Sequence, residues 1–152
     1  MSTSVIEKIV NHAANVSSGK DPRVKPGQAE RFTEAAAAGD AIRQGDLYIV
    51  VATVIPGNYE RIEKPKAADK QLVPGNTQGA KHCLDALAGV ELWRPKGWGV
   101  ESLEGPFLRF SKERTILHQT HGAVTIPAGM SVQCHYQREY DSEQRRARRA
   151  AD

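Results

Sequence analysis

The stretch "GDLYIVVATVIPG", residues 45 to 57, constrains the chain more than any other. Its apolar part, "LYIVVATVI", is rich in β-branched and aromatic residues, shows no polar alternation and closes on Pro-Gly. It falls far short of the roughly 20 apolar residues a membrane-spanning helix requires. A strand that is apolar on both faces has to be covered on both sides. The segment therefore reads as a central strand, and the rest of the chain must supply neighbours for it.

The following residues are suited to that task. Short apolar pieces occur at "QLVPGN" (71–76), "VELWRP" (90–95), "PFLRF" (106–110), "TILH" (115–118), "AVTIPAG" (123–129) and "MSVQCHYQREY" (130–140), separated by Gly- and Pro-rich turns. Such punctuation predicts a mainly β domain over 44–140, a small barrel or sandwich. In the last piece Met130, Val132, Cys134 and Tyr136 share one face, and Ser131, Gln133, His135 and Gln137 the other.

The flanks read differently. "STSVIEKIV" predicts a helix, with Ser4 and Glu7 spaced as a capping box and Val5, Ile6, Ile9, Val10 and Ala13 on one face. "SSGKDPRVKPGQ" (17–28) reads as a linker. "QAERFTEAAAA" (28–38) predicts a second helix, stopped at Gly39. Residues 1–43 are thus expected to form a helical arm and linker, whose thin apolar face of Phe32 and alanines suits packing on a partner. Residues 141–152, "DSEQRRARRAAD", predict a short basic helix or tail capped by Asp141 or Ser142.

With 152 residues, 39% hydrophobic and 26% charged, the chain suits one domain with its own core. The net charge is +3. Arg145, Arg146, Arg148 and Arg149 carry that excess, and without them the chain is close to neutral. Polyanion or nucleic-acid contact is therefore expected through this tail, each phosphate contact adding salt-dependent affinity; a solvated tail is the plainer reading. Two cysteines, Cys83 and Cys134, make no disulfide framework, no secretory leader opens the chain, and no membrane contact is expected. A cytoplasmic location with reduced thiols follows.

The chemistry-bearing pattern is "TILHQTHGAVTIPAG" (115–129). A two-residue hairpin at Gln119-Thr120 would place His118 and His121 directly opposite each other, with Cβ atoms about 4.5–5.5 Å apart. Neutral imidazoles so placed are common metal ligands. His82, approached through Gly75 and Gly79, is the third candidate, and zinc or a similar divalent ion the natural occupant. Two exposed polar residues at a hairpin rim remain the alternative. Cys134 reads as core. No nucleophile motif, phosphate loop or dinucleotide fingerprint occurs. In "LWRPKGWGVESLEGPF" (92–107) both tryptophans stand among Arg94, Lys96 and glycines. Trp93 reads as an anchor and Trp98 as an exposed partner contact.

"QGDLYIV", "LHQTHGAVTIPAG" and "QREY" together resemble a family of short uncharacterised bacterial and phage proteins. Their pattern runs Gly-Asp-strand, Thr-Gly-His-x-His, His-x-x-His-x-Pro-Val/Ile-x-Leu-Pro, then Gln-Arg-Glu-Tyr. The resemblance covers residues 44 to 140 and is specific over 117–140. His82 matches the second histidine of the first His motif, while Ala80 stands where the first would be. His118 and His121 match the next motif, and Gln137, Arg138, Glu139 and Tyr140 the last. The resemblance implies a β fold and assigns no reaction.

Two functions are expected in order. The first is a non-enzymatic binding or structural protein of a larger, phage-related assembly, with a protein partner or a second copy. The second is a metal-binding β domain with a His82/His118/His121 site, extending to a hydrolytic or other metal-dependent enzyme.

Overall fold

The computed structural model describes residues 28–75, 82–141 and 146–149, and within them the chain is strand and turn. The strands are β1 (Glu30–Arg31), β2 (Ala41–Gln44), β3 (Leu47–Val51), β4 (Tyr59–Arg61), β5 (Cys83–Leu84), β6 (Val90–Pro95) and β7 (Glu104–Phe110), followed by β8 (Arg114–Leu117), β9 (Val124–Ile126), β10 (Ser131–Tyr136), β11 (Arg138–Asp141) and β12 (Arg146–Arg149). A short 3-10 turn covers Ala67–Lys70. One sheet has the order β2-β3-β10-β7-β6-β4 and a second β1-β9-β8-β5, while β11 and β12 form a separate ribbon. Among the described residues the sheets are open, and no closed barrel forms.

β3 has the central character its composition demands. All five of its residues are buried, and it pairs with β2 on one side and β10 on the other. The strand stops at Val51, although the apolar run continues to Ile55. The ladder ends where the neighbours end: Val51 N donates to Asp40 O and Ala52 N to Ser131 O. Beyond that point there is no strand to pair with, and Val54 is 76% exposed.

The two sheets bury one apolar cluster between them. Ile42, Ile49, Leu92, Leu108, Phe110, Val132 and Cys134 come from the larger sheet, and Leu84, Ile116, Val124 and Ile126 from the smaller. In β10, Val132, Cys134 and Tyr136 are buried while Ser131, Gln133 and His135 are half-buried, the alternation its sequence carries. Of the expected piece at 71–76, the described residues 71–75 supply core without a strand. Leu72 and Val73 are buried, and only Gln71 makes an isolated bridge, to Cys83.

The larger sheet's opposite face is covered in its middle and open at one margin. Along one row, Val50 pairs with Gln133, Gln133 with Phe107, Phe107 with Trp93 and Trp93 with Arg61. Val50 and Phe107 are fully buried. Tyr59 lies over this row, its hydroxyl donating to Gly105 O at 2.8 Å and accepting from Gln133 Nε2 at 3.0 Å. Burial there pushes the Tyr59 hydroxyl pKa well above its ordinary value.

Two expectations about the flanks are corrected. Residues 28–38 form no helix. β1 runs parallel to β9, and two turns follow, closed by Ala36 N to Thr33 O and Asp40 N to Ala37 O. The alanine preference is worth only tenths of a kcal/mol per residue, and tertiary packing overrides it. Here the override is Phe32, 3% exposed in the core. Nor is the described part of the basic tail a helix: Arg146–Arg149 pairs antiparallel with Arg138–Asp141. The expected helix at residues 4–13 lies outside the described residues.

Packing of Phe32 makes residues 28–43 part of the folded unit. Phe32→Ala should cost about 3–5 kcal/mol, the usual range for a buried aromatic. Chemical denaturation of the variant checks this, and a loss below about 1 kcal/mol, the level of a surface change, would detach the segment from the core.

Candidate functional site

Gln44-Gly45-Asp46-Leu47 is a two-residue β-hairpin turn, since Gln44 pairs with Leu47 at the end of the β2–β3 ladder. Gly45 takes a φ of 57°, the left-handed region in which a glycine costs nothing. The turn sends two polar side chains inward: Gln44 is 1% exposed and Asp46 6%. Both end on His82, which is itself 2% exposed.

The protonation pattern can be worked out from the partners. Gln44 Nε2 donates to Ile116 O at 3.0 Å and to Gly122 O at 2.9 Å. Its Oε1 must then face His82 Nδ1, 2.8 Å away, as an acceptor. His82 Nε2 stands 2.8 Å from Asp46 Oδ1. The amide oxygen makes Nδ1 the donor on one side, and Nε2 shares a hydrogen bond with the Asp46 carboxyl group on the other. The result is a buried polar network in which both ring nitrogens of His82 have hydrogen-bond partners, the condition under which polar groups are tolerated in a core.

His118 and His121 are packed beside it. Ring centroids of His82 and His118 are 4.5 Å apart, and those of His118 and His121 also 4.5 Å. The cause of the first contact is strand register. Cys83 pairs with Leu117 in the β5–β8 ladder, which places His82 and His118 at the next rung. The second contact has a different origin from the tight hairpin expected at Gln119-Thr120. β8 ends at Leu117 and β9 begins at Val124, so the connection spans residues 118–123. Gln-Thr lacks the positive-φ chemistry a two-residue turn requires. Instead, His118 Nδ1 accepts the Thr120 N–H at 3.1 Å and the His121 N–H at 3.3 Å, closing a wider turn with its own ring. Gly122 completes it under another segment: a Cβ there would lie 1.9 Å from Gln28 O.

The three histidines named from the sequence are thus brought together, by a route the sequence did not show. Both His82 nitrogens are hydrogen-bonded to Gln44 and Asp46, and His118 Nδ1 accepts from backbone N–H groups. Among the described residues, no group of three or more His, Cys, Asp or Glu side chains is arranged to hold a metal ion. Gln44 and Asp46 were the partners missed. The available signal was the Gln-Gly-Asp turn itself, since such a turn places its flanking side chains on one side of a hairpin end.

The remaining candidates lie elsewhere. Trp98 is half-buried, with Arg94 stacked 4.3 Å from its ring centroid and its Nε1 donating to Tyr136 Oη at 3.1 Å. It anchors its loop. Trp93 sits on the open margin of the larger sheet, between Arg61 at 5.5 Å and Arg109 at 5.1 Å from its ring centroid. Cys134 is core, and burial pushes its thiol pKa up to about 12. Cys83 is partly exposed. Arg146, Arg148 and Arg149 form β12, and Arg145 lies outside the described residues.

A ring whose Nδ1–H is held inside the core by Gln44 should show a slowly exchanging imidazole Nδ1–H resonance for His82 in downfield proton NMR. Gln44→Leu should remove the Nδ1–H signal's protection. It should also destabilise by about 1–3 kcal/mol for each buried group it strands. The absence of any protected Nδ1–H resonance in the parent protein would overturn the assignment.

No curated protein and no solved structure matches the chain. No helix among the described residues is long and apolar enough to cross a membrane. Residues 43–134, more than half of the chain, match the model described as Domain of unknown function (DUF8820). This span runs from the residue before the Gln-Gly-Asp turn to Cys134 in β10 and contains all three clustered histidines, and the chain belongs to that family.

Proposed function

We propose that the protein is a non-enzymatic binding domain of a larger assembly, and that the histidine cluster serves its architecture. The supporting observation is the open margin of the larger sheet, where Trp93 is flanked by the Arg61 and Arg109 guanidinium groups. Trp and Arg are the residue types that dominate binding energy at protein interfaces. The two cation–π contacts, with Phe107 set edge-on at 5.7 Å, hold the indole in place before any partner arrives. Less side-chain freedom is then lost on association. Glu91, 3.6 Å from Arg109, gives the margin a mixed charge suited to a protein surface. A second copy of the chain fits the same description, and a cytoplasmic setting agrees with two free cysteines.

A metal-binding role is the second reading, favoured by the mutual contact of three imidazole rings. It requires His82 to release Gln44 or Asp46 so that a lone pair becomes available. Zinc or a similar divalent ion would then be held with His118 and His121, and a metal-dependent reaction would be the extension.

The readings separate in two measurements. Protein purified without chelator should contain less than one equivalent of transition metal by elemental analysis, and EDTA should leave its melting temperature unchanged. Arg61→Ala with Arg109→Ala should keep stability within about 0.5 kcal/mol, as expected for half-exposed side chains. The same variant should lose a protein partner, or self-association by light scattering, that the parent retains. One bound metal per chain, lost in His118→Ala, would replace the first reading by the second.

A further inference from the structure

Among the described residues β4 is the last strand of the larger sheet, and one of its edges is open. Two bonds fix the direction of its backbone groups. Lys96 N donates to Asn58 O, and Ile62 N to Leu92 O. Asn58, Glu60 and Ile62 therefore bond toward β6, and the N–H and C=O groups of the alternate residues Tyr59 and Arg61 point to the open side. The Tyr59 N–H is already used by Pro56 O. Arg61 and the next alternate residue, Glu63, are thus the positions at which a further strand can join. Glu60, Arg61, Glu63 and Lys64 are all exposed.

The residues along this edge read "ERIEK", 60 to 64. Charges on an edge strand ordinarily keep copies of a chain apart. Here their order is antisymmetric about Ile62, each acid having a base at the same distance on the other side. In an antiparallel pair centred on Ile62, Arg61 faces Glu63 of the second copy and Glu60 faces its Lys64, and the two-fold axis repeats both pairs. All four directly opposed charge pairs are then attractive. Centring on Arg61 would set arginine against arginine, and centring on Glu60 or Glu63 would set acid against acid. Backbone parity agrees, since Arg61 and Glu63 can exchange both of their hydrogen bonds. One step further Tyr59 would face Pro65, which has no N–H, and the ladder ends.

We propose that the open edge of β4 pairs with the same edge of a second copy, antiparallel and centred on Ile62. This deepens the reading of the Trp93 margin and rests on it, because Arg61, 5.5 Å from the Trp93 ring centroid, belongs to both. Within one chain Glu63 lies 4.0 Å from Arg61, at the outer limit of an ion pair. Pairing gives each of them a partner directly across the ladder. Ile62, packed against the core of its own chain, meets its copy at the axis. The chain bends at Glu63-Lys64, so association has to draw these residues into line at a cost in ordering. Pro65 lowers that cost, since the residue before a proline favours extended backbone. The contact is narrow and belongs to the weak class of interfaces. It joins the two larger sheets edge to edge, with both Trp93 margins on one face.

The test is sedimentation velocity of the full chain up to about 100 μM, a range suited to a weak interface. The parent should form a dimer as its concentration rises. Arg61→Glu and Glu63→Arg, each alone, set like charges opposite each other on both sides of the axis. Either should weaken dimerisation by at least about tenfold. An equimolar mixture of the two variants restores opposite charges in both pairs and should recover a heterodimer of near-parent affinity. Arg109→Ala, which alters the Trp93 margin away from the edge, should stay within about twofold, since an exposed pair contributes little. Melting curves of each variant keep unfolding apart from lost contact. A parent that stays monomeric overturns the pairing and leaves the margin to a different protein, so the two readings fail separately. Parent-like dimerisation of either single variant also overturns it. So does a mixture that forms no heterodimer, or a loss in Arg109→Ala equal to that in Arg61→Glu.

Discussion

The side chain of Gln44 ties the two sheets together. It ends β2, at the edge of the larger sheet, and its amide donates across to Ile116 in β8 and to Gly122 before β9. Its oxygen then fixes His82, and Asp46 fixes the other side of the same ring. The net stability from such a group is modest, because desolvation of its polar atoms offsets most of what their hydrogen bonds contribute. Its larger effect is on uniqueness. Sliding the β2–β3 hairpin by one residue would turn Gln44 to the opposite face and leave a buried histidine, a carboxylate and two carbonyls unmet. Alternative registers are therefore penalised far more than the native one is stabilised.

What the sequence made legible was set by short-range pattern. β6 could be read at its observed bounds from "VELWRP", and β10 from the strict alternation of Val132, Cys134 and Tyr136. The two-sided burial of β3 followed from its unbroken apolar run. The parts that were not legible depend on contacts distant in sequence. Alanines at 35–38 favour helix locally, yet the place of Phe32 under β9 decides the segment. Arg146–Arg149 has ordinary helix preference, and only pairing with Arg138–Asp141 makes it a strand. The histidines were recognisable as a set, but their meeting depends on the β5–β8 register. Gln44 and Asp46 were invisible as its partners, since beside a glycine they read as ordinary turn chemistry.

Charge is divided by location. Inside, Asp46 meets His82, and at the rim of the core Asp69 meets Arg94 at 2.8 Å. Burial pushes the Asp69 carboxyl up, but the Lys66 N–H and the Arg94 guanidinium outweigh it and hold its pKa below the usual carboxylate value. Arg94 in turn covers Trp98, so the ion pair and the loop anchor support each other. Outside, Arg61 and Arg109 flank Trp93 on one margin. The polar residues of this chain are sorted between fastening the fold and facing outward, and the histidine cluster falls on the fastening side.

The position of β10 bears on how the chain comes to be folded. It lies between β3 and β7, which do not pair with each other. During synthesis, β2 and β3 form one piece and β4, β6 and β7 another, and no hydrogen-bonded ladder joins them until residues 131–136 are made. β1 waits similarly, since Glu30 finds its partner only at Val124. A sheet whose centre is made late has high contact order, and such topologies fold slowly. Until then the buried edges of β3 and β7 are open to one another's copies on neighbouring chains. A nascent chain of this protein released before residues 131–136 are made would hold two partial sheets, each with an exposed apolar edge, and would be a substrate for chaperones.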